Sequence, residues 1–275
     1  MADKSYDNIK IEREGEVTFV ILNRPDKRNA MSPGLHYDME DALTWLATDK
    51  QTKVLILTGA GEAWSAGQDL KLYFRETANN PEERRRSNTA SHHWRWEMLS
   101  TFPKTTIAMV NGYCFGGAFT QLCACDFAIA SEDAIFGLSE VNWGILPGGI
   151  VSWNLTDMML PRHALYYAAT GEPFDGKRAV ELGLVNFAVP KDKLREETMK
   201  LADKLLKLNP SVVRFTKEAV RAVRHMSPET ARDYLGAKQA ALAKADKEIN
   251  DKVGMKEFLD NKSYRPGLGP YKRPE

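Results

Sequence analysis

The sequence predicts an α/β fold in which a parallel sheet is covered on both faces and is continued by a helical C-terminal region. Short, uninterrupted apolar runs at 54–58, 107–110 and 127–130 alternate with longer stretches of helical periodicity. A strand apolar at every position is buried on both faces, as in a helix-covered parallel sheet. Glycines close the runs, as in Gly59-Ala60-Gly61 and Asn111-Gly112, and from about Pro161 onward the β signal gives way to helix after helix.

Residues 17–22 are the first β-rich run. Residues 33–46 then place Leu35, Met39, Ala42, Leu43 and Leu46 at intervals of three and four, the stripe of a helix with one buried face. A polar helical stretch through Trp94 and Met98 separates the runs at 54–58 and 107–110. In the last third, 190–208, 211–225 and 228–259 read as helices, punctuated by Asn209-Pro210 and Ser227-Pro228. Their amphipathic faces need an apolar partner, in the body or in another subunit. Trp45, Trp64 and Trp153 are expected in the core, and Glu82-Glu83-Arg84-Arg85-Arg86 on a solvated helix face. His92-His93, beside Trp94 and Trp96, reads as helix-surface packing and not as a metal or nucleic-acid site, because the other histidines lie in unrelated segments.

Thirty-eight Lys and Arg against thirty-seven Asp and Glu leave a net charge of +1, so no global field draws the chain to nucleic acid or to a membrane. An anionic ligand must be met by local basic groups. No apolar run approaches the roughly 20 residues that cross a bilayer, and residues 1–10 are too polar for a signal peptide, so a cytoplasmic protein is expected. Cys114, Cys123 and Cys125 lie in a Gly- and Ala-rich stretch without the spacing of a zinc or redox motif, which suits reduced, buried thiols.

The candidate chemistry lies in glycine segments that follow strands, because open α/β folds bind ligands at the carboxyl ends of their strands. Ser65-Ala66-Gly67-Gln68-Asp69-Leu70 follows the run at 54–58; Gly116-Gly117 follows that at 107–110 and opens a helix whose first N–H groups lack partners. Two loops can then each offer a backbone donor to one oxygen, the arrangement that stabilises charge developing on a thioester carbonyl. Phe136-Gly137-Leu138-Ser139-Glu140-Val141-Asn142-Trp143-Gly144 sets one carboxylate in an apolar surround, and a further glycine pair, Gly148-Gly149, follows it. Burial raises a carboxyl pKa, so Glu140 is the candidate general acid/base.

Leu22-Asn23-Arg24-Pro25 with Lys27 and Asn29-Ala30, the Ser65 to Leu70 string, Asn111-Gly112 with Gly116-Gly117, Cys125-Asp126, and Phe136-Gly137 leading to Glu140 together resemble the crotonase (enoyl-CoA hydratase/isomerase) superfamily over nearly the whole chain. The resemblance implies a crotonase-like ββα spiral core over 1–205 and a helical C-terminal trimerisation region over 206–275, assembled as homotrimers or dimers of trimers. It implies an oxyanion hole from the backbone N–H groups of Gln68 and Gly117. It also places Lys27, Arg28, Ala66 and Leu70, with Asp69, Gly116, Ser139 and Gly148, around an acyl-CoA substrate. Coenzyme A then belongs to the substrate, and no separate cofactor or metal is expected.

Simple hydratases of that family use two glutamates, and Thr120 stands at the position of the first. The strings from Trp64 to Arg75, Cys114 to Gly117, Gly137 to Gly144 and Lys262 to Leu268 resemble the hydroxycinnamoyl-CoA (feruloyl-CoA) hydratase-lyases. Those enzymes hydrate a 4-hydroxycinnamoyl-CoA and cleave the adduct to an aromatic aldehyde and acetyl-CoA. The resemblance makes Glu140 the acid/base, with Thr120 beside it. Tyr73 and Trp143 would flank the aromatic ring, the Tyr73 hydroxyl reaching the phenol. The chain departs from the pattern at two places. Aligning the long C-terminal helix on Tyr234 leaves Gly236 where the lyases carry a second phenol-binding tyrosine, and Gln68 stands where they carry Met.

Overall fold

The computed structural model describes residues 4–246, 258–260 and 262. They form two compact units, one of residues up to 102 together with 106–199, the other of 103–105 together with those from 200 onward. The string from Ser263 to Leu268, and 247–257 of the expected third tail helix, lie outside the described residues.

The first unit is built on two sheets. β1 (Ile9–Glu14) and β2 (Val17–Leu22) form an antiparallel hairpin, and β2 continues in parallel to β3 (Val54–Gly59). β5 (Thr105–Val110), β7 (Phe127–Ser131) and β10 (Phe187–Val189) complete a six-stranded sheet in the order β1-β2-β3-β5-β7-β10. The second sheet is β4 (Ala63–Ser65), β6 (Tyr113–Phe115), β8 (Ile135–Gly137) and β9 (Phe174–Asp175). A repeating device links them: β3, β5 and β7 each turn within a few residues into β4, β6 and β8. Helix α3 (Ala118–Ala124) then follows β6, and α4 (Val151–Met158) follows β8 after a loop. This is a ββα repeat, the mixed α/β architecture expected from the sequence. Every residue of β2, β3 and β5 is buried, which is why those segments carry no polar alternation.

Helix α1 (Pro33–Thr48) starts where Ser32 Oγ accepts the Leu35 N–H and Pro33 fills the first turn. Its buried stripe contains the five expected apolar residues and also His36. The polar stretch beyond β4 becomes α2 (Pro81–His92) and then a π-helical turn, His93–Met98. A second π-helical turn, Leu70–Arg75, follows the Gln68 loop.

Several expectations are corrected. Trp64 is fully buried and Trp45 half-buried, but Trp153 on α4 is exposed, packed edge-on to Trp96 at 5.3 Å between ring centres. The β signal does not end before Pro161, since β9 and β10 follow it; two- and three-residue strands are too short to show a period. Helix α5 (Pro161–Thr170) and α6 (Gly176–Glu181) lie between β8 and β10. The expected helix at 190–208 is α7 (Leu194–Leu206), entered through a 3-10 turn at Lys191–Lys193.

In the second unit, α8 (Pro210–Val223) is capped by Asn209, whose side-chain oxygen accepts from Ser211 and Val212 N–H. α9 (Pro228–Ala245) is capped by Ser227. At its end Asp246 takes extended backbone, and its carboxylate accepts from the Asn209 amide at 2.7 Å. Among the described residues, no helix is long and apolar enough to cross a membrane.

Candidate active site

Two loops meet at the carboxyl ends of β4 and β6. The first is fastened by a single parallel bridge: Met31 N–H donates to Gly67 O at 2.8 Å, and Asp69 N–H donates to Met31 O at 3.0 Å. In such a bridge the intervening residue points its own N–H the other way, so the Gln68 amide faces away from Met31. The Asp69 carboxylate tightens the same loop. It accepts the Lys71 and Leu72 N–H groups and pairs with the Arg24 guanidinium at 2.9 Å. Asp69 is therefore occupied by the protein itself.

Gly67 lies at φ +86°, and a methyl group there would stand 2.6 Å from Phe115 O and 3.3 Å from Gly117 N. A methyl group at Gly117 would in turn stand 3.4 Å from Gln68 Cγ. The two loops thus meet backbone to backbone, which side chains at these positions would prevent. Neither the Gln68 nor the Gly117 N–H has a backbone acceptor among the described residues outside the regular elements, and Gly117 is the N-cap of α3.

Glu140 sits on a 3-10 turn, Ser139–Trp143, and its carboxylate lies over Gly116. Its Oε2 is buried without a hydrogen-bond partner, and burial raises its pKa above the ordinary carboxylate value. Thr120 is buried one turn into α3, with its N–H on Gly117 O at 3.2 Å. Arg28 O accepts the Ala66 N–H at 2.8 Å, and its guanidinium lies 4.8 Å from the Tyr113 ring and pairs with Glu62. Lys27 and Leu70 are exposed nearby in sequence.

A buried polar network that the sequence reading missed lies behind Gln68. Trp94 Nε1, which can only donate, lies 2.8 Å from His36 Nδ1, so a neutral His36 carries its proton on Nε2 and donates to Gln68 Oε1 at 2.9 Å. The reverse amide orientation, which otherwise suits the neighbours of Gln68, would face its NH₂ to a protonated nitrogen. Gln68 Nε2 then donates to Ser91 Oγ at 2.9 Å. Burial lowers the His36 pKa to about 3, with Arg95 adding to the effect, which keeps the ring neutral. Arg95 itself is buried, with Nε on Ser91 O and Nη1 on Gly117 O at 2.8 Å. Two signals were available: His36 inside the buried stripe of α1, and the spacing of Ser91 and Arg95 on one helical face.

The structure brings Ala66, Gln68, Gly116, Gly117, Thr120 and Glu140 together. Tyr73 joins them through its ring, edge-on to His36 at 5.3 Å, and its hydroxyl donates to Asn88 Oδ1 at 2.7 Å. Trp143 is 63% exposed, Gly148 is exposed and Ser139 half-buried on the loop that carries Glu140. Tyr234 belongs to α9 in the second unit, its ring 5.5 Å from Lys238 Nζ. A methyl group at Gly236 would meet nothing within 4 Å.

A family model described as enoyl-CoA hydratase/isomerase matches residues 12–265. The chain is 49% identical over 269 residues to a hydroxycinnamoyl-CoA hydratase-lyase of Pseudomonas fluorescens, covering 98% of each. Among solved structures, an enoyl-CoA hydratase subunit I of Geobacillus kaustophilus HTA426 superposes with a TM-score of 0.85 at 31% identity, covering 99% of both chains. An enoyl-CoA hydratase of Bacillus anthracis superposes with a TM-score of 0.81 at 30% identity, covering 93% of this chain and 97% of the other.

Proposed function

The chain belongs to the enoyl-CoA hydratase/isomerase family, and on that premise we propose that it hydrates a 4-hydroxycinnamoyl-CoA, such as feruloyl-, coumaroyl- or caffeoyl-CoA. Retro-aldol cleavage of the adduct then gives an aromatic aldehyde, vanillin in the feruloyl case, and acetyl-CoA. The observation that carries the reading is one carboxylate, Glu140, placed over the glycine pair with its buried Oε2 unpaired, and with Thr120 in place of a second glutamate. The 49% identity to a hydroxycinnamoyl-CoA hydratase-lyase supports the ring end of the substrate.

In the first step Glu140 takes a proton from water as the oxygen adds to Cβ. The thioester becomes an enolate, whose oxygen accepts from the Gln68 and Gly117 N–H groups. The protonated Glu140 returns the proton to Cα. In the second step Glu140 removes the β-hydroxyl proton, the Cα–Cβ bond breaks, the aldehyde leaves, and the same donors hold the acetyl-CoA enolate until Glu140 protonates it. A carboxyl whose pKa lies above the usual range serves both directions near neutral pH. Lys27 and Arg28 supply positive charge for the coenzyme A phosphates, Ala66 and Leu70 line the acyl arm, and Tyr73 meets the phenol.

Gly236, lacking the second phenol-binding tyrosine, favours a different reading: a hydratase or isomerase of another acyl-CoA without C–C cleavage. Incubation with feruloyl-CoA, 4-coumaroyl-CoA and crotonyl-CoA separates the two. Aldehyde and acetyl-CoA in equal amounts from the aryl substrates are expected; hydration of crotonyl-CoA alone would assign the second reading.

A further inference from the structure

Arg95 is a buried cation that pairs with no carboxylate among the described residues. Its surroundings are the neutral His36 ring, the Gln68 amide at 3.3 Å from Nη2, the Ser91 carbonyl and, near enough to act on it, the Tyr73 hydroxyl. Burial lowers its pKa to about 10, which still leaves it charged at neutral pH. The amide orientation fixed by His36 presents a nitrogen, not an oxygen, to Nη2, so the charge is not relieved there either. A buried charge left without a counter-charge is costly.

Its position is informative. Nη1 donates to Gly117 O at 2.8 Å and stands 3.1 Å from where a methyl group on Gly117 would lie. Ordinary bond geometry then puts Nη1 within about 6 Å of the Gly117 nitrogen, on the residue whose N–H is read as half of the oxyanion pair. Charge at such a separation inside protein is weakly screened. We propose that Arg95 is an electrostatic positioning residue: it fixes the Gly117 carbonyl and lends an unneutralised positive charge to the site where the enolate oxygen forms. The inference rests on the reading that Gln68 and Gly117 hold a thioester oxygen.

The test is the acidity of a bound 3-ketoacyl thioester. Acetoacetyl-CoA loses a proton from the carbon between its carbonyls to give an enolate that absorbs in the near ultraviolet, so its pKa on the protein is read by titration. In Arg95→Gln, which removes charge and keeps a donor, that pKa should rise by at least about one unit, a tenfold loss of enolate relative to keto form. Affinity for coenzyme A itself should stay within about twofold, because it lacks the oxyanion. Arg95→Lys, with the charge retained, should return the pKa to within about half a unit of the wild-type value. Should Arg95→Gln fail to fold, Arg95→Lys decides alone, since a full unit's rise despite retained charge would overturn the inference. An unchanged pKa in Arg95→Gln, or equal weakening of coenzyme A and acetoacetyl-CoA, would overturn it as well. A wild-type protein that gives no enolate band would sink the oxyanion reading, and the inference with it.

Discussion

The Glu140 carboxylate overhangs Gly116 so closely that a methyl group there would stand 3.1 Å from Oε1 and 3.6 Å from Oε2. Gly116 lies at φ +52°, and Gly116 N–H donates to Gly137 O at 2.9 Å, which ties the loop under the carboxylate to the strand that leads to it. Only backbone lies under the carboxylate at this point, and a side chain at Gly116 would crowd it.

Glu140→Gln should keep the fold and lower turnover by at least about a hundredfold, the scale of lost acid/base help. The wild-type rate should fall as pH drops through a pKa above the ordinary carboxylate range, because the base must be ionised to take the first proton. The stability sign is opposite. A carboxyl whose folded pKa is raised favours the folded state below its unfolded pKa, and that advantage is lost as pH rises through the folded pKa. Thermal unfolding at neutral pH should therefore show Glu140→Gln more stable than wild type, with the difference vanishing at low pH. A variant less stable at neutral pH would show that Glu140 is a structural group.

Gly67→Ala should abolish activity. Its left-handed φ costs an alanine about 1–2 kcal/mol, and the added methyl group would press on the Phe115 carbonyl oxygen, so the loop must move. Denaturant midpoints should fall while the far-ultraviolet spectrum stays native, and a displaced Gln68 N–H would no longer meet the thioester oxygen that the proposed function assigns to it. Full activity in this variant would contradict the placement of the oxyanion pair.

Some of this was legible in the sequence because the physics is local. The stripe of α1 and the unbroken apolar runs of β2, β3 and β5 each follow from burial on one or two faces. Gly67 and Gly116 stood out because loops after strands concentrate such residues, and the left-handed φ at both gives the reason for glycine. The network behind Gln68 was not legible. Its members come from α1, the Gln68 loop, α2 and the π-helical turn after it, and Arg95 looked like one more charge on a polar helix until packing closed over it. Trp153 was misread for the converse reason: an aromatic residue carries no mark of the face it will occupy.

A trimer-based assembly is expected in solution. Leu146, Leu160 and Leu165 are each about two-thirds or more exposed, with Trp153 and Tyr166 also exposed on α4 and α5, a density of apolar groups that single chains usually cover. Light scattering at micromolar concentration should give the mass of three or six chains. A monomeric mass would leave those leucines unexplained and remove assembly from the account.

In the proposed function Tyr73 is the residue that meets the ring end of the substrate. Its hydroxyl donates to Asn88 Oδ1, which leaves the oxygen lone pairs free to accept from a phenol. Removing the hydroxyl with Tyr73→Phe would strand a buried substrate phenol, at about 1–3 kcal/mol, or roughly five- to 150-fold in kcat/KM for 4-hydroxycinnamoyl-CoA. Cinnamoyl-CoA, without that hydroxyl, should hardly register the change. Asn88→Ala should give a weaker version of the same pattern, because it frees the Tyr73 hydroxyl without deleting it. Gly236→Tyr, at a position with nothing within 4 Å of an added methyl group, should sharpen the preference for the hydroxylated substrate. If Tyr73→Phe and Gly236→Tyr treat the hydroxylated and unsubstituted thioesters alike, the phenol is not what this protein reads, and its substrate is an acyl-CoA without the 4-hydroxyl group.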